Sequence, residues 1–396
     1  MLEAEMTQWG VGHGGFHTVE IRQNLVDARS YRYIYDCGSK ALVKSLNPRI
    51  ESYVQSLKDA GAYQVDTLYL SHFDFDHVNG LKKLSSELNS NIQIVKIVVP
   101  FLTIEQQFAI LASQDSRYSA LYVNLVLNPE GTLTRLFPGA EVEFLFPSEE
   151  VGFPDEGHLS PNTPGSEGVP TGPYPSGIVE PLWEVIAYAQ PGVPATAREF
   201  WRQVQSELEK QMTLNVDTVK ELIENHRKKL REIAVRVLGA DGSNASSIVL
   251  YSAPSRGRNV SCFIKFRHRR IGWEELPLNA AEWWGRNSKK FGGWLSTGDA
   301  RLKGSGNVRA LERGLGKQRC KRVTVIAAPH HGSENNSDSY LWKSFANATV
   351  VTVHAADNTS HHPHKKVLDE LKLQDRKPFV LNDKYRDIVM CCRVYS

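Results

Sequence analysis

The segment Asp66-Thr67-Leu68-Tyr69-Leu70-Ser71-His72-Phe73-Asp74-Phe75-Asp76-His77-Val78-Asn79-Gly80 runs from five strand-forming residues into two imidazoles and two carboxylates within six positions. The first five read as a buried strand, a short apolar run ending at a polar turn. A strand end followed by a tight turn can fan His72, Asp74, Asp76 and His77 toward one point. Gathering four ionisable groups without a compensating cation is costly, so the spacing points to a metal site. Imidazole with carboxylate suits zinc, and the second carboxylate admits manganese or another oxygen-tolerant ion.

Outward from this segment, short β-branched runs alternate with helical patterns, as in a layered α/β protein. FHTVEI (16–21) and YRYIYD (31–36) read as a hairpin pair, and a helix is expected from Val78 to Leu88. IQIVKIVV, AEVEFLF, SSIVLYS, VSCFIKF, GGWLST, RVTVIAA and ATVVTVH are further strand candidates. Two stretches interrupt the rhythm of what is otherwise one domain over 1–396. The first, 151–238, is dense in Gly and Pro to residue 194 and then carries apolar residues at helical spacing over 196–238. The second, 259–292, mixes Arg and Lys with Trp273, Trp283 and Trp284, which suit either base stacking or a core.

With 396 residues, 41% hydrophobic and 23% charged, the chain has an ordinary globular composition, which excludes disorder over most of its length. The net charge of +3 neither demands nor excludes a polyanionic partner. Basic residues crowd into 226–231, 265–270 and the stretch from Arg301 to Arg322, a distribution that fits solvated faces or a nucleic-acid footprint. Five cysteines without a CxxC pair fit a reducing compartment, with Cys391-Cys392 read as buried packing. No secretory signal or membrane-length apolar run is evident, so a cytoplasmic protein with no membrane partner is expected.

The His72-to-His77 segment resembles the His-x-His-x-Asp-His signature of the metallo-β-lactamase superfamily, in the variant with Asp at the second histidine position. That variant is similar to the hydrolase domain of bacterial DNA-uptake competence proteins. Val11-Gly12-His13-Gly14 resembles that group's VGQG loop, and Tyr33-Ile34-Tyr35-Asp36-Cys37-Gly38 its D-x-G strand. Asn244-Ala245-Ser246-Ser247-Ile248-Val249-Leu250, Leu295-Ser296-Thr297-Gly298-Asp299, Pro329-His330-His331-Gly332-Ser333 and His362-Pro363 match its later motifs in order. The likeness runs from Gly10 to about Leu371, omitting the two insertions.

The resemblance implies a four-layer αββα sandwich and two divalent metal ions, zinc first and manganese second. Carried over residue by residue, His72 and Asp74 hold the first metal, Asp76 and His77 the second, Asp299 bridges, and His362 is a late ligand of the second. Asp36 lies one shell out, orienting a ligand imidazole. Of the adjacent pair, His330 is taken as ligand and His331 as catalytic, hydrogen-bonding substrate or protonating the leaving group, while Asp76 orients the attacking water. Asn244 and Ser333 are candidate substrate-binding residues. The superfamily's usual strand-borne third histidine has no clear counterpart: His158 and His226 read as surface residues, which leaves His330 to complete the first metal. Gly15 stands where the competence group has Asp.

The expected function is a metal-dependent phosphodiesterase or nuclease acting on nucleic acid, and freestanding relatives with such insertions resemble components of prokaryotic antiviral defence. Hydrolysis of another ester or of a cyclic nucleotide is the first alternative. A regulatory or scaffold protein working through a protein partner on the 196–238 helices is the second.

Overall fold

Side chains alternate between the two faces of a strand, so a strand that is apolar at every position must be covered on both. The computed structural model describes residues 1–23, 30–89, 91–114, 119–147, 166–168, 182–190, 194–209, 211–239, 247–255, 258–268, 272–275, 292–355, 362–382 and 386–395. β1 (Leu2–Gln8), β2 (Gly14–Gln23) and β3 (Tyr31–Ser39) form an antiparallel meander that continues in parallel through β4 (Gln64–Tyr69), β5 (Gln93–Pro100) and β6 (Glu141–Leu145). The connections carry α1 (Asn47–Asp59), α2 (Phe75–Val78), α3 (Leu81–Leu88), α4 (Ile104–Ser113), α5 (Ala120–Leu127) and α6 (Pro129–Leu136).

β7 (Ser166–Gly168) and β8 (Trp183–Ala189) precede α7 (Pro194–Glu207), α8 (Val216–Asn225) and α9 (Arg227–Leu238). Then come β9 (Ile248–Pro254), β10 (Asn259–His268), β11 (Gly272–Glu275), β12 (Gly293–Ser296), α10 (Ser305–Leu315), α11 (Lys317–Arg322) and β13 (Val323–Ala327). α12 (Ser339–Ser344), β14 (Val350–His354), α13 (Lys365–Leu373), β15 (Lys377–Leu381) and β16 (Arg386–Tyr395) complete the chain. Nine strands form one sheet in the order β11-β10-β16-β1-β2-β3-β4-β5-β6, and seven form the other in the order β15-β14-β13-β12-β9-β8-β7.

Three cores separate four layers. Met6, Val19, Tyr33, Tyr69 and Val98 of the first sheet meet Trp183, Val185, Leu250, Trp294 and Val325 of the second between the sheets. The other face of the first sheet, with Ile34, Leu68 and Ile97, is covered by α1 and α3 to α9. The other face of the second, with Val249, Leu295 and Ile326, is covered by α10 to α13. In β5, Ile97 and Val99 point into one core and Val98 into the next, which is the alternation that two-sided burial requires. The four-layer αββα sandwich implied by the resemblance is thus the observed architecture.

The hairpin of β2 and β3 forms with His17 opposite Tyr35 and Val19 opposite Tyr33. Inside the stretch read as irregular, however, β8 is a wholly buried strand paired with β9. Its WEVIAYA pattern is short, and the flanking glycines and prolines mask it. α7, α8 and α9 bring Phe200, Val219, Leu222, Leu230 and Ile233 into the core they share with Phe108 of α4, so their apolar stripes are used within the fold. Within 259–292, β10 pairs along its whole length with β16. Trp283 and Trp284 lie outside the described residues.

Two expectations are corrected. Cys262 and Cys392 face each other across β10 and β16 and form a disulfide, while Cys391 stays reduced beside them and is partly exposed, so the terminal pair is not simply buried packing. The basic run toward Arg322 is not all surface: Arg322 donates to Glu184 at 2.6 Å, Arg319 contacts the same carboxylate at 3.4 Å, and both guanidiniums are buried. A buried charge requires such a partner. Among the described residues no helix is long and apolar enough to cross a membrane.

Candidate metal centre

Parallel strands of both sheets release their loops at one end, the carboxyl edge where α/β folds place their ligands. β3 ends near Asp36, β4 leads into Ser71 and His72, β12 into Asp299, and β13 into His330. The glycine between β12 and Asp299 is required there. Gly298 adopts φ of 51°, and a Cβ on it would stand 2.7 Å from the Cβ of Ser71.

Asp36 is the anchor of the site. It sits at φ of 59°, a left-handed conformation that Asp tolerates better than most residues. Its Oδ1 accepts from the Ser71 amide at 2.7 Å, and its Oδ2 accepts from the Ser71 hydroxyl at 2.7 Å and lies 2.8 Å from His77 Nδ1. The Ser71 hydroxyl donates its one hydrogen to Asp36, so it accepts from His72 Nδ1 at 2.7 Å. Both rings therefore carry a proton on Nδ1 and turn Nε2 toward the interior of the cluster. These two Nε2 atoms are buried and make no hydrogen bond.

What they face is Asp299. Its Oδ2 lies 3.6 Å from His72 Nε2 and 3.5 Å from His330 Nε2, while its Oδ1 lies 3.4 Å from His77 Nε2 and 3.9 Å from His331 Nε2. Asp74 approaches His72 Nε2 at 3.9 Å, and Asp76 approaches His331 Nε2 at 3.7 Å. Separations of 3.4–3.9 Å are too long for good hydrogen bonds, yet every donor atom points inward. His72, His77 and Asp299 form one group able to hold an ion, and Asp76, His77 and His331 another. Orphaned imidazole nitrogens among carboxylates are the donor set a divalent transition metal takes.

Neighbours in sequence, His330 and His331 reach the same carboxylate because of their backbone. His330 has φ of 47°, His331 of 56° and Gly332 of 79°, three successive left-handed residues. His330 is further held by Asn336, whose Oδ1 lies 3.0 Å from His330 Nδ1 and whose Nδ2 donates to the Asp299 carbonyl at 2.9 Å. His362 stands farther out, with its ring centroid 5.3 Å from that of His330, 5.9 Å from His13 and 6.4 Å from His331.

Burial favours neutral groups, and the charges here act with or against it. Burial would raise the Asp299 carboxyl, but the surrounding imidazoles of His330, His77, His331 and His72 hold it well below its usual range. Burial would lower His77, yet Asp299 and Asp36 bring it well above the ordinary histidine value. Burial raises Asp74, and it lowers His331 well below the usual value, to which His13 and His77 add. It also lowers His13 to about 4 and His362 to about 3.

His72, Asp74, Asp76, His77, Asp299, His330 and His331 are thus gathered within one cluster, with Asp36 behind it and His362 beside it. Ser333 is fully buried, and its hydroxyl accepts from the Asn335 amide at 3.2 Å inside its own turn. Asn244 and His158 lie outside the described residues. His226 caps the junction of α8 and α9 in the helical layer. Sequence reasoning missed Ser71, Asn336 and His13 as site residues. The His13 ring packs 4.8 Å from His331, and its place in the VGHG loop was the available signal. Ser71 and Asn336 carry no spacing signal, because their roles depend on contacts across the fold.

No protein-family model matches the chain, and no curated protein matches it. Among solved structures it is similar to a long form RNase Z from yeast, at 12% identity over 97% of this chain and 41% of that one, with a TM-score of 0.38. It is similar to the metallo-β-lactamase fold protein YhfI from Bacillus subtilis, at 10% identity over 99% of this chain and 100% of that one, with a TM-score of 0.38. It is also similar to unliganded yeast PDE1, at 11% identity over 98% of this chain and 99% of that one, with a TM-score of 0.38. The chain spans 41% of the length of the RNase Z chain. These are likenesses of arrangement, and the chemistry below is argued from this chain's own side chains.

Proposed function

We propose that this protein is a dinuclear metal-dependent hydrolase of phosphodiesters. The observation that carries the reading is the division of the cluster by Asp299, with His72 and His330 on one carboxylate oxygen and His77 and His331 on the other. A carboxylate so placed suits a bridge between two cations. His72, Asp74 and His330 would hold one, and Asp76, His77 and His331 the other. His331, expected from the sequence to be catalytic, is better used as a ligand, since its Nε2 lies between Asp76 and Asp299. Two close divalent ions supply an activated water at neutral pH and offset charge on the electrophile's oxygen.

The chain's own groups do the rest. Asp76 is placed to orient the attacking water, and Asp36 keeps both Nε2 atoms aimed inward, holding His77 Nδ1 directly and His72 Nδ1 through the Ser71 hydroxyl. His362, partly exposed at the edge of the cluster and kept neutral by burial, is placed to donate an N–H hydrogen bond to a substrate oxygen. Nucleic acid remains the proposed polymer substrate, supported by the basic segments, less the two arginines that Glu184 neutralises. Metal analysis of the purified protein, coupled to hydrolysis of single-stranded DNA, duplex DNA, RNA, cyclic nucleotides and a chromogenic phosphodiester, tests the reading. Two equivalents of metal with diesterase activity are expected; a metal-replete protein inert on every diester overturns it.

A further inference from the structure

The backbone at the end of β3 is held by hydrogen bonds at two successive residues. The Ser39 amide donates to Asn79 Oδ1 at 2.9 Å, Asn79 Nδ2 donates back to the Ser39 carbonyl at 2.8 Å, and the Ser39 hydroxyl donates to the Val11 carbonyl at 2.6 Å. The next amide, that of Lys40, donates to the His13 carbonyl at 2.9 Å. From this fixed backbone Lys40 extends a side chain that is 67% exposed, and its ammonium ends 3.8 Å from Asp76 Oδ2. That separation is beyond hydrogen-bond length, and a pair so exposed adds little to stability. The ammonium keeps its three donors available at the rim of the cluster.

Charge counting gives the placement a purpose. Asp36, Asp74, Asp76 and Asp299 are the carboxylates of the site, and with neutral imidazoles they balance two divalent cations. Before the attacking water loses its proton, Lys40 is then the surplus positive charge. A phosphodiester brings one negative charge to match it, whereas an acyl ester brings none.

Resting on the proposed function, we propose that Lys40 is the specificity-determining residue that selects anionic phosphoryl substrates. Its ammonium leaves Asp76 and takes a non-bridging oxygen of the scissile phosphate. The flexible stem covers the short distance between the two, and the pinned backbone keeps the charge at the entrance.

The test compares the zinc-loaded wild type with Lys40→Ala and Lys40→Arg on bis(4-nitrophenyl) phosphate and on 4-nitrophenyl acetate. Both release the same chromophore. Lys40→Ala should lower kcat/KM for the diester about tenfold, mostly through KM, and lower the diester-to-acetate ratio by a similar factor. Lys40→Arg should recover most of the loss. Inorganic phosphate, titrated calorimetrically into the loaded proteins, should bind Lys40→Ala more weakly by a comparable factor, and added salt should narrow the gap. A wild type that cleaves the diester while Lys40→Ala keeps the same ratio and the same phosphate affinity overturns the role of Lys40 alone. A wild type that cleaves only the acetate, or neither ester, overturns the diesterase reading and the role of Lys40 with it.

Discussion

Asp36 Oδ2 lies 2.8 Å from His77 Nδ1, on the side of the ring facing away from the cluster. The same oxygen reaches His72 through the Ser71 hydroxyl, so one carboxylate sets the tautomer of two imidazoles. Support of this kind affects metal affinity without touching the metal. Asp36→Ala is expected to weaken metal binding by about 10- to 100-fold, measured by competition with a chromogenic chelator. Asp36→Asn should lose less, because Asn tolerates the left-handed backbone at φ of 59° and can still accept from His77.

Removal of the inward-facing groups acts on the chemistry directly. His72→Ala and Asp76→Ala should each reduce metal-dependent hydrolysis by at least about 100-fold, a loss typical of removing one electrostatic contact to the reacting centre. Both side chains border a polar cluster rather than an apolar core, so circular dichroism should show a native fold. Full activity in either variant would refute the assigned roles.

Metal uptake should release protons. Burial opposes charge on the His77 ring, yet Asp299 and Asp36 raise its pKa well above the ordinary histidine value and so favour a proton where a cation must bind. The proton on Nδ1 is held by Asp36, so the one displaced by a cation is on Nε2. Apparent affinity must therefore rise with pH, and fall as acid restores that proton. Titrating zinc into the metal-free protein in buffers of different ionisation enthalpy measures the release, and a pH-independent affinity would contradict the charge state.

Gly38 tests how closely the two loops must approach. A Cβ there would stand 2.3 Å from the Asp76 carbonyl oxygen and 2.4 Å from the His77 carbonyl carbon, both backbone atoms that cannot swing aside. Gly38→Ala should push the loop carrying Asp76 and His77 outward, cost about 1–3 kcal/mol of stability as overpacking does, and lower metal occupancy as well. Thermal melts with and without zinc would separate the two effects, since binding to the native state alone raises Tm.

The bond between Cys262 and Cys392 can be checked by peptide mapping without reductant. A linked pair is expected, with Cys37, Cys320 and Cys391 alkylated as free thiols after unfolding.

The local part of this protein was legible from residue order. The run into His72, Asp74, Asp76 and His77 announced a strand, a turn and a cluster of metal-ligand side chains, because strand propensity and the cost of packing ionisable groups act over a few neighbours. The short β-branched run of residues 92–99 likewise announced the strand that forms over Gln93–Pro100. β8 was obscured because turn-forming residues surround a seven-residue apolar run, and only pairing with β9 makes that run a strand.

Tertiary structure decided everything that depends on groups distant in the chain. That Ser71 links Asp36 to His72, that Glu184 neutralises Arg319 and Arg322, and that Cys262 finds Cys392 follow from pairings across 35 to 138 positions. The sharing of Asp299 by adjacent His330 and His331 required three left-handed residues in succession, which composition does not signal. Periodicity reports which face of an element is apolar, whereas hydrogen bonds and ion pairs are short-ranged and directional, so they exist only once the two sheets have packed and brought their loop ends together.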